Sequence, residues 1–231
     1  MRIALLEEED HLAELLSTWL EAEAHHVVVF DSGTLLIDHL RKTSFDLLLL
    51  DWVVPDLDGE QVLAWVRGHV DWPIPVIFVT QRDDEDDVAR ILLAGADDYL
   101  VKPVRNRELI ARIAAVNRRV HGHASPAPVI DEPPYRIDTH ARSVTLNGQP
   151  VSLTQKEFEL AAFLFRKVGR ILSRDHILEA VWGHRQGMNT RTVDTHISRL
   201  RNKLILTPEN GWRLSGIYHH GYRLERTDTT L

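Results

Sequence analysis

Cysteine is absent from the 231 residues, so no disulfide and no thiolate site can form. That suits a reducing compartment, and a cytoplasmic setting is expected. No uninterrupted apolar run approaches the ~18–20 residues that cross a bilayer, so no membrane contact is expected. A secretory leader is not expected either, because in MRIALLEEED acids follow the apolar run at once. Internal repeats are missing. Low-complexity sequence is confined to HGHASPAPVIDEPP at 121–134, which reads as an exposed linker. Basic charge is scarce in the first half. Residues 1–122 hold roughly 12 Lys and Arg against roughly 23 Asp and Glu, whereas 135–231 hold roughly 15 against roughly 9. The net charge of −7 hides this asymmetry. An acidic half joined to a basic half is a cue for nucleic acid at one end.

Residues 1–120 alternate short apolar runs with helical patterns. Ile3–Leu6, Val27–Phe30, Leu47–Leu50, Val76–Val79 and Tyr99–Val101 read as strands. Leu12, Leu15, Leu16, Trp19 and Leu20 repeat at helical spacing, as do Leu109, Ile110, Ile113 and Val116. Such alternation predicts an α/β fold with a parallel sheet covered by helices. The LLLL run before Asp51 fits a strand buried on both faces.

In such a sheet, ligands bind beyond the carboxyl ends of the strands. Glu7 and Glu8 follow the first strand, Asp51 the third, Thr80 ends the fourth and Lys102 follows the fifth. Convergent carboxylates repel and call for a cation, and hard oxygen donors favour Mg2+. A carboxylate can attack phosphorus and form an acyl phosphate, with Lys102 and Thr80 bonding the phosphoryl oxygens.

ALLEEED, LLLLDWVVPDLDG, PVIFVT and GADDYLVKP resemble the receiver domain of two-component response regulators. The resemblance implies a doubly wound, five-stranded, flavodoxin-like domain over 1–120. It implies that Asp51 accepts a phosphoryl group from a partner histidine kinase. Glu7, Glu8, Asp51 and the Trp52 carbonyl would hold the metal, Thr80 and Tyr99 would form the switch, and Lys102-Pro103 would carry a cis peptide. The family usually has Asp where Glu8 stands and a small residue at Gln81.

The 135–231 segment reads differently. Short β segments at Tyr135–Ile137, Ser143–Leu146 and Val151–Leu153 include an Asn147-Gly148 hairpin turn. Thr154 with Glu157 forms a capping box at the start of a first helix. A second helix runs from Ser173 to Trp182 and stops at Gly183; a third runs from Thr190 or Arg191 to about Leu206. Strands near Trp212–Leu214 and Tyr222–Leu224 close the chain. On the third helix Val193, Ile197, Leu200 and Leu204 share one face. Arg191, Thr195, Arg199 and Asn202 lie opposite, a pattern that fits a helix in a DNA major groove.

LTQKEFELAAFLFRKVGRILSRDHILEAVWG, RTVDTHISRLRNKL and HHGYRL resemble the effector domain of OmpR/PhoB-type regulators. The resemblance implies an α+β winged helix-turn-helix over 135–231. Arg191, Thr192, Thr195, His196, Ser198, Arg199, Arg201 and Lys203 would face duplex DNA, with Tyr218 and His219 on the wing. By the helical projection, Arg201 sits nearer the buried edge. Tyr218 stands where the family often has Arg. The resemblance also implies a homodimer on activation, through Asp97, Asp98, Glu108, Arg112 and Arg119, with Val88 replacing a basic position that would pair Glu108. RNA polymerase is a further expected partner. The expectation is a transcription regulator rather than an enzyme. The alternatives are an atypical receiver with phosphorylation-independent DNA binding, a protein-binding adaptor and a small phosphohydrolase, although no second acid follows Asp51 closely enough for the last.

Overall fold

The computed structural model describes residues 1–70, 72–121, 128–183 and 189–227. The chain divides into two compact units, one N-terminal and one C-terminal.

The first unit alternates strand and helix: β1 Arg2–Leu6, α1 Asp10–Ala22, β2 His26–Phe30, α2 Gly33–Leu40, β3 Leu47–Leu50, α3 Gly59–His69, β4 Val76–Thr80, α4 Glu85–Leu93, β5 Asp98–Val101 and α5 Asn106–His121. The five strands are parallel in the order β2-β1-β3-β4-β5. All four leucines of β3 are at most 1% exposed. Leu48 and Leu50 pack into the cluster with α2 and α3; Leu47 and Leu49 pack into the one with α1 and α5. A strand covered on both faces has no place for a polar residue until it ends, which is where Asp51 stands. Strand order reverses between β1 and β3, and that junction opens a crevice at their carboxyl ends.

The second unit begins with an antiparallel sheet, β6 Val129–Glu132, β7 Tyr135–Asp138, β8 Ser143–Leu146 and β9 Gln149–Val151, in sequence order. Asn147 and Gly148 both take positive φ, 50° and 75°, as the turn between β8 and β9 requires. Then come α6 Gln155–Phe165, β10 Leu172–Ser173, α7 Arg174–Trp182, α8 Arg191–Leu204, β11 Trp212–Ile217 and β12 Gly221–Arg226, with a second sheet ordered β10-β12-β11. The Thr154–Glu157 capping box is present at α6. Val193, Ile197, Leu200 and Leu204 are all buried against α6 and α7 neighbours.

Three sequence expectations need correction. The linker composition of 121–134 extends too far: Val129–Glu132 pairs with β7, with Ile130 on the core and Pro133-Pro134 as the turn. Residues 122–127 lie outside the described residues. Leu172–Ser173 is a strand before it is a helix start, because Leu172 pairs with Tyr222 while Ser173 still caps α7 by accepting from His176 N. The segment Val151–Leu153 shifts back to Gln149–Val151, since β9 follows the two-residue turn directly and Thr154 must be free to cap α6.

Candidate functional site

Four distant residues meet in the crevice. Glu7, Asp51 and Thr80 are 2%, 7% and 1% exposed. Lys102 Nζ lies 2.8 Å from Glu7 Oε2 and donates to Asp51 Oδ2 at 2.7 Å. The cavity above them is about 340 Å3. Burial pushes the Glu7 carboxyl above its usual range against the pull of Lys102, and the nearby Asp51 charge adds to the rise. Burial works against the Lys102 ammonium too, yet hydrogen bonds to Asp51 and Glu7 hold its pKa above the ordinary lysine value. Glu9 N donates to Glu7 Oε1 at 3.2 Å and fixes that carboxylate.

Glu8 lines the same cavity but is exposed and outside the ion pair. The Trp52 carbonyl accepts from Gly59 N at 2.9 Å, and Val53 rather than Trp52 lines the cavity. The Trp52 carbonyl, expected as a metal ligand, is thus engaged by the start of α3. Gly59 itself sits so close that a Cβ there would meet the Asp51 carbonyl oxygen at 2.2 Å. Among the described residues no three acidic or histidine side chains are gathered closely enough to form a metal-ligand group. The donor chemistry nevertheless fits a hard divalent cation. Two buried carboxylates share one ammonium and leave net negative charge out of water.

Thr80 Oγ1 accepts from Arg82 N at 3.4 Å. Tyr99 is 7% exposed, and its hydroxyl donates to the Arg82 carbonyl. Burial raises the Tyr99 pKa. The Lys102-Pro103 peptide is cis. Arg82 and Glu9 also line the cavity, and sequence reasoning missed both. A cation two residues past Thr80 was the available signal for Arg82.

The five acidic and basic residues expected at a dimer face are paired within the unit. Asp97 accepts from Arg67 at 3.0 Å and from Val76 N at 2.8 Å, so its carboxylate is used internally. Arg112 bridges Asp98 at 3.1 Å and Glu108 at 2.8 Å, so Glu108 has a partner on its own helix. Arg119 lies 3.9 Å from Asp98.

In the second unit, α8 exposes Arg191, Thr195, Ser198, Arg199 and Asn202. Thr192 and His196 are half-buried; His196 Nδ1 lies 2.8 Å from the Thr192 carbonyl and its ring meets Trp182 edge-on at 5.0 Å. Arg201 turns away from this face, and its Nε donates to Leu214 O at 2.9 Å. Lys203 pairs with buried Glu157 at 2.6 Å. Both side chains tie α8 to its own domain, because they flank the apolar stripe. Asp194 Oδ1 accepts from Arg174 Nε at 2.8 Å and from Tyr222 hydroxyl at 2.5 Å, joining α7, α8 and β12. At the tip of the β11–β12 hairpin Tyr218 is 84% exposed, and its ring lies 3.9 Å from that of His219. His219 takes a φ of 60°.

Comparison with known proteins matches residues 3–114 to the family described as "Response regulator receiver domain". Residues 148–224 match "Transcriptional regulatory protein, C terminal". The chain is 36% identical over 226 residues to the sensory transduction protein RegX3 of Mycolicibacterium smegmatis, covering 96% of this chain and 98% of that protein. It is 36% identical over 222 residues to the DNA-binding response regulator MtrA of Mycobacterium tuberculosis, covering 96% of each.

Proposed function

The chain belongs to the OmpR/PhoB-type response regulators of two-component systems, a receiver joined to a DNA-binding effector, and on that footing we propose that phosphorylation of Asp51 controls its binding to duplex DNA. The observation that carries the reading is the meeting of Glu7, Asp51, Thr80 and Lys102 at the carboxyl ends of β1, β3, β4 and β5.

An Asp51 carboxylate oxygen attacks the phosphorus of a sensor kinase's phosphohistidine. A new O–P bond forms as the N–P bond breaks, and the imidazole leaves with the electron pair and takes up a proton. Glu7, Asp51 and Glu8, once turned inward, would hold Mg2+, which would supply positive charge to offset that of the phosphoryl group. Lys102 donates to one phosphoryl oxygen and the Thr80 hydroxyl to another. Thr80 and Tyr99 both bond the backbone of Arg82, so a shift of Thr80 reaches Tyr99 through one residue.

On DNA, α8 lies in the major groove. Arg191, Thr195, Ser198 and Arg199 meet bases and phosphates, Thr192 and His196 stand at its edge, and Tyr218 and His219 reach from the wing. Activation pairs two copies through Asp98, Glu108, Arg112 and Arg119, exchanging bonds now made internally. Joining two effectors raises their effective concentration on tandem half-sites. The setting is the cytoplasm, with RNA polymerase as the downstream partner.

The exposed Glu8 and the presence of Gln81 at the cavity favour a second reading, in which DNA binding does not depend on phosphorylation. DNA affinity measured with and without a small-molecule phosphoryl donor, in wild type and Asp51→Ala, separates the two. A donor-induced gain lost in Asp51→Ala supports the first; equal affinity in all four conditions supports the second.

A further inference from the structure

Arg82 occupies a position that phosphoryl chemistry alone leaves unexplained. Arg82 is among the residues that line the cavity over Asp51. Its guanidinium, however, is parked elsewhere. The guanidinium carbon lies 4.6 Å from the centre of the Trp52 ring, and Nη1 reaches Asp87 Oδ2 at 3.2 Å. Its N–H bonds Thr80 and its carbonyl bonds Tyr99, so one residue touches the cavity and both switch side chains.

Charge makes the parked position conditional. Glu7, Glu8, Glu9 and Asp51 surround the cavity, whereas Lys102 is the cation already committed inside it, divided between Glu7 and Asp51. A phosphoryl group adds about −1.5 to −2 units of charge and three strong acceptors. A guanidinium fork fits such oxygens two at a time.

The partners that Arg82 would leave are already duplicated. Arg90 lies 4.9 Å from the same Trp52 ring and holds Asp87 at 2.9 Å, with Glu60 at 3.3 Å as a third contact. Departure of Arg82 therefore strands neither the indole face nor the Asp87 carboxylate. A cation that can leave cheaply, beside a pocket that is about to gain negative charge, has a direction in which to move.

We infer that Arg82 is a phosphoryl-binding residue, stored on Trp52 and Asp87 and transferred to the phosphoryl oxygens when Asp51 is modified. This rests on the reading of Asp51 as phosphoacceptor. The transfer pulls on the backbone that Thr80 and Tyr99 share, and it breaks the Arg82–Asp87 tie between the β4–α4 loop and α4.

The test is binding of beryllofluoride, a non-covalent phosphoryl mimic, in the presence of Mg2+, followed by fluorine NMR in the full chain. Arg82→Ala is expected to weaken binding about tenfold, the size of one lost charge-assisted contact. Arg82→Lys recovers part of it. Asp87→Asn removes the competitor and should tighten binding severalfold, but only when Arg82 is present; with Arg82→Ala it should change nothing. A purely structural role for either residue does not produce that dependence. Unchanged affinity in Arg82→Ala, or an Asp87→Asn effect indifferent to residue 82, overturns the inference while leaving Asp51 as acceptor. If wild type binds no mimic, or binds it equally well as Asp51→Asn, the phosphoacceptor reading fails and this one with it.

Discussion

Each unit buries one glutamate to 2% exposure and gives it a lysine, yet the two glutamates titrate in opposite directions. Glu157 is heavily desolvated, but Lys203, the Thr154 N–H and the Thr154 hydroxyl together bring its pKa below the ordinary value. Glu7 has Lys102 as well, but it shares that ammonium with Asp51 and is repelled by it, so burial wins and its pKa rises. One carboxylate is a structural rivet at a helix start. The other holds charge in a place where it is unwelcome, which stabilises nothing by itself and prepares the pocket for a cation or a phosphoryl group.

The comparison breaks most severely at Lys102. Lys102→Met leaves two buried carboxylates unpaired and should cost the first unit about 3–5 kcal/mol at neutral pH. Hydrogen exchange of β1 and β3 amides measures it, with α6 amides as the unaffected reference. The loss should shrink in acid as Glu7 takes up a proton. Next in size, Arg199→Ala touches no buried partner; it should weaken DNA binding by about 1–3 kcal/mol in a salt-controlled titration without lowering the melting temperature. Loss of affinity together with loss of stability would place Arg199 among the helix's anchors instead.

Lys203→Met is the mirror of the first substitution and should cost far less, about 1 kcal/mol. Lys203 is 39% exposed, and Glu157 keeps its capping-box bonds. Because the Glu157 pKa is depressed, its contribution is complete above pH 4.5 and fades as pH falls through the folded value. The Lys203→Met deficit should vanish over that same acid range. The smallest effect has the opposite sign. The raised Glu7 pKa means that stability falls as pH climbs from 4.5 through the folded value, since the native state holds the proton longer. Glu7→Gln should therefore be the more stable protein at neutral pH and lose that advantage below pH 4.5. A flat difference across the range would show that Glu7 is not strained by burial.

Sequence alone carried the elements whose cause is local. The LLLL run, the Asn147-Gly148 turn, the Thr154–Glu157 box and the apolar stripe of α8 all declare themselves within a few residues. The convergence of Glu7, Asp51, Thr80 and Lys102 followed from strand ends in a parallel sheet, which is a rule about topology rather than contact. What escaped depends on partners far along the chain. Leu172 is a strand residue only because Tyr222 returns beside it, fifty residues on. Val129–Glu132 carries linker composition and still pairs across a proline turn. The family resemblance put Arg201 and Lys203 on DNA, the helical projection already set Arg201 nearer the buried edge, and only Leu214 and Glu157 reveal where the two side chains go. That the Trp52 carbonyl is engaged by Gly59 hung on the direction of one peptide in a turn, which spacing cannot supply.

Gly59 has a wider consequence. The first residue of α3 rests on the Asp51 peptide with no room for a methyl group between them, and its N–H grips the next carbonyl along. The Asp51 backbone and α3 are thus bolted together as a single mechanical part. On the phosphorylation proposed for Asp51, a carboxylate so mounted would wait for its donor to come to it, and the strain of transfer would be discharged on the opposite wall, where β4 leads into α4.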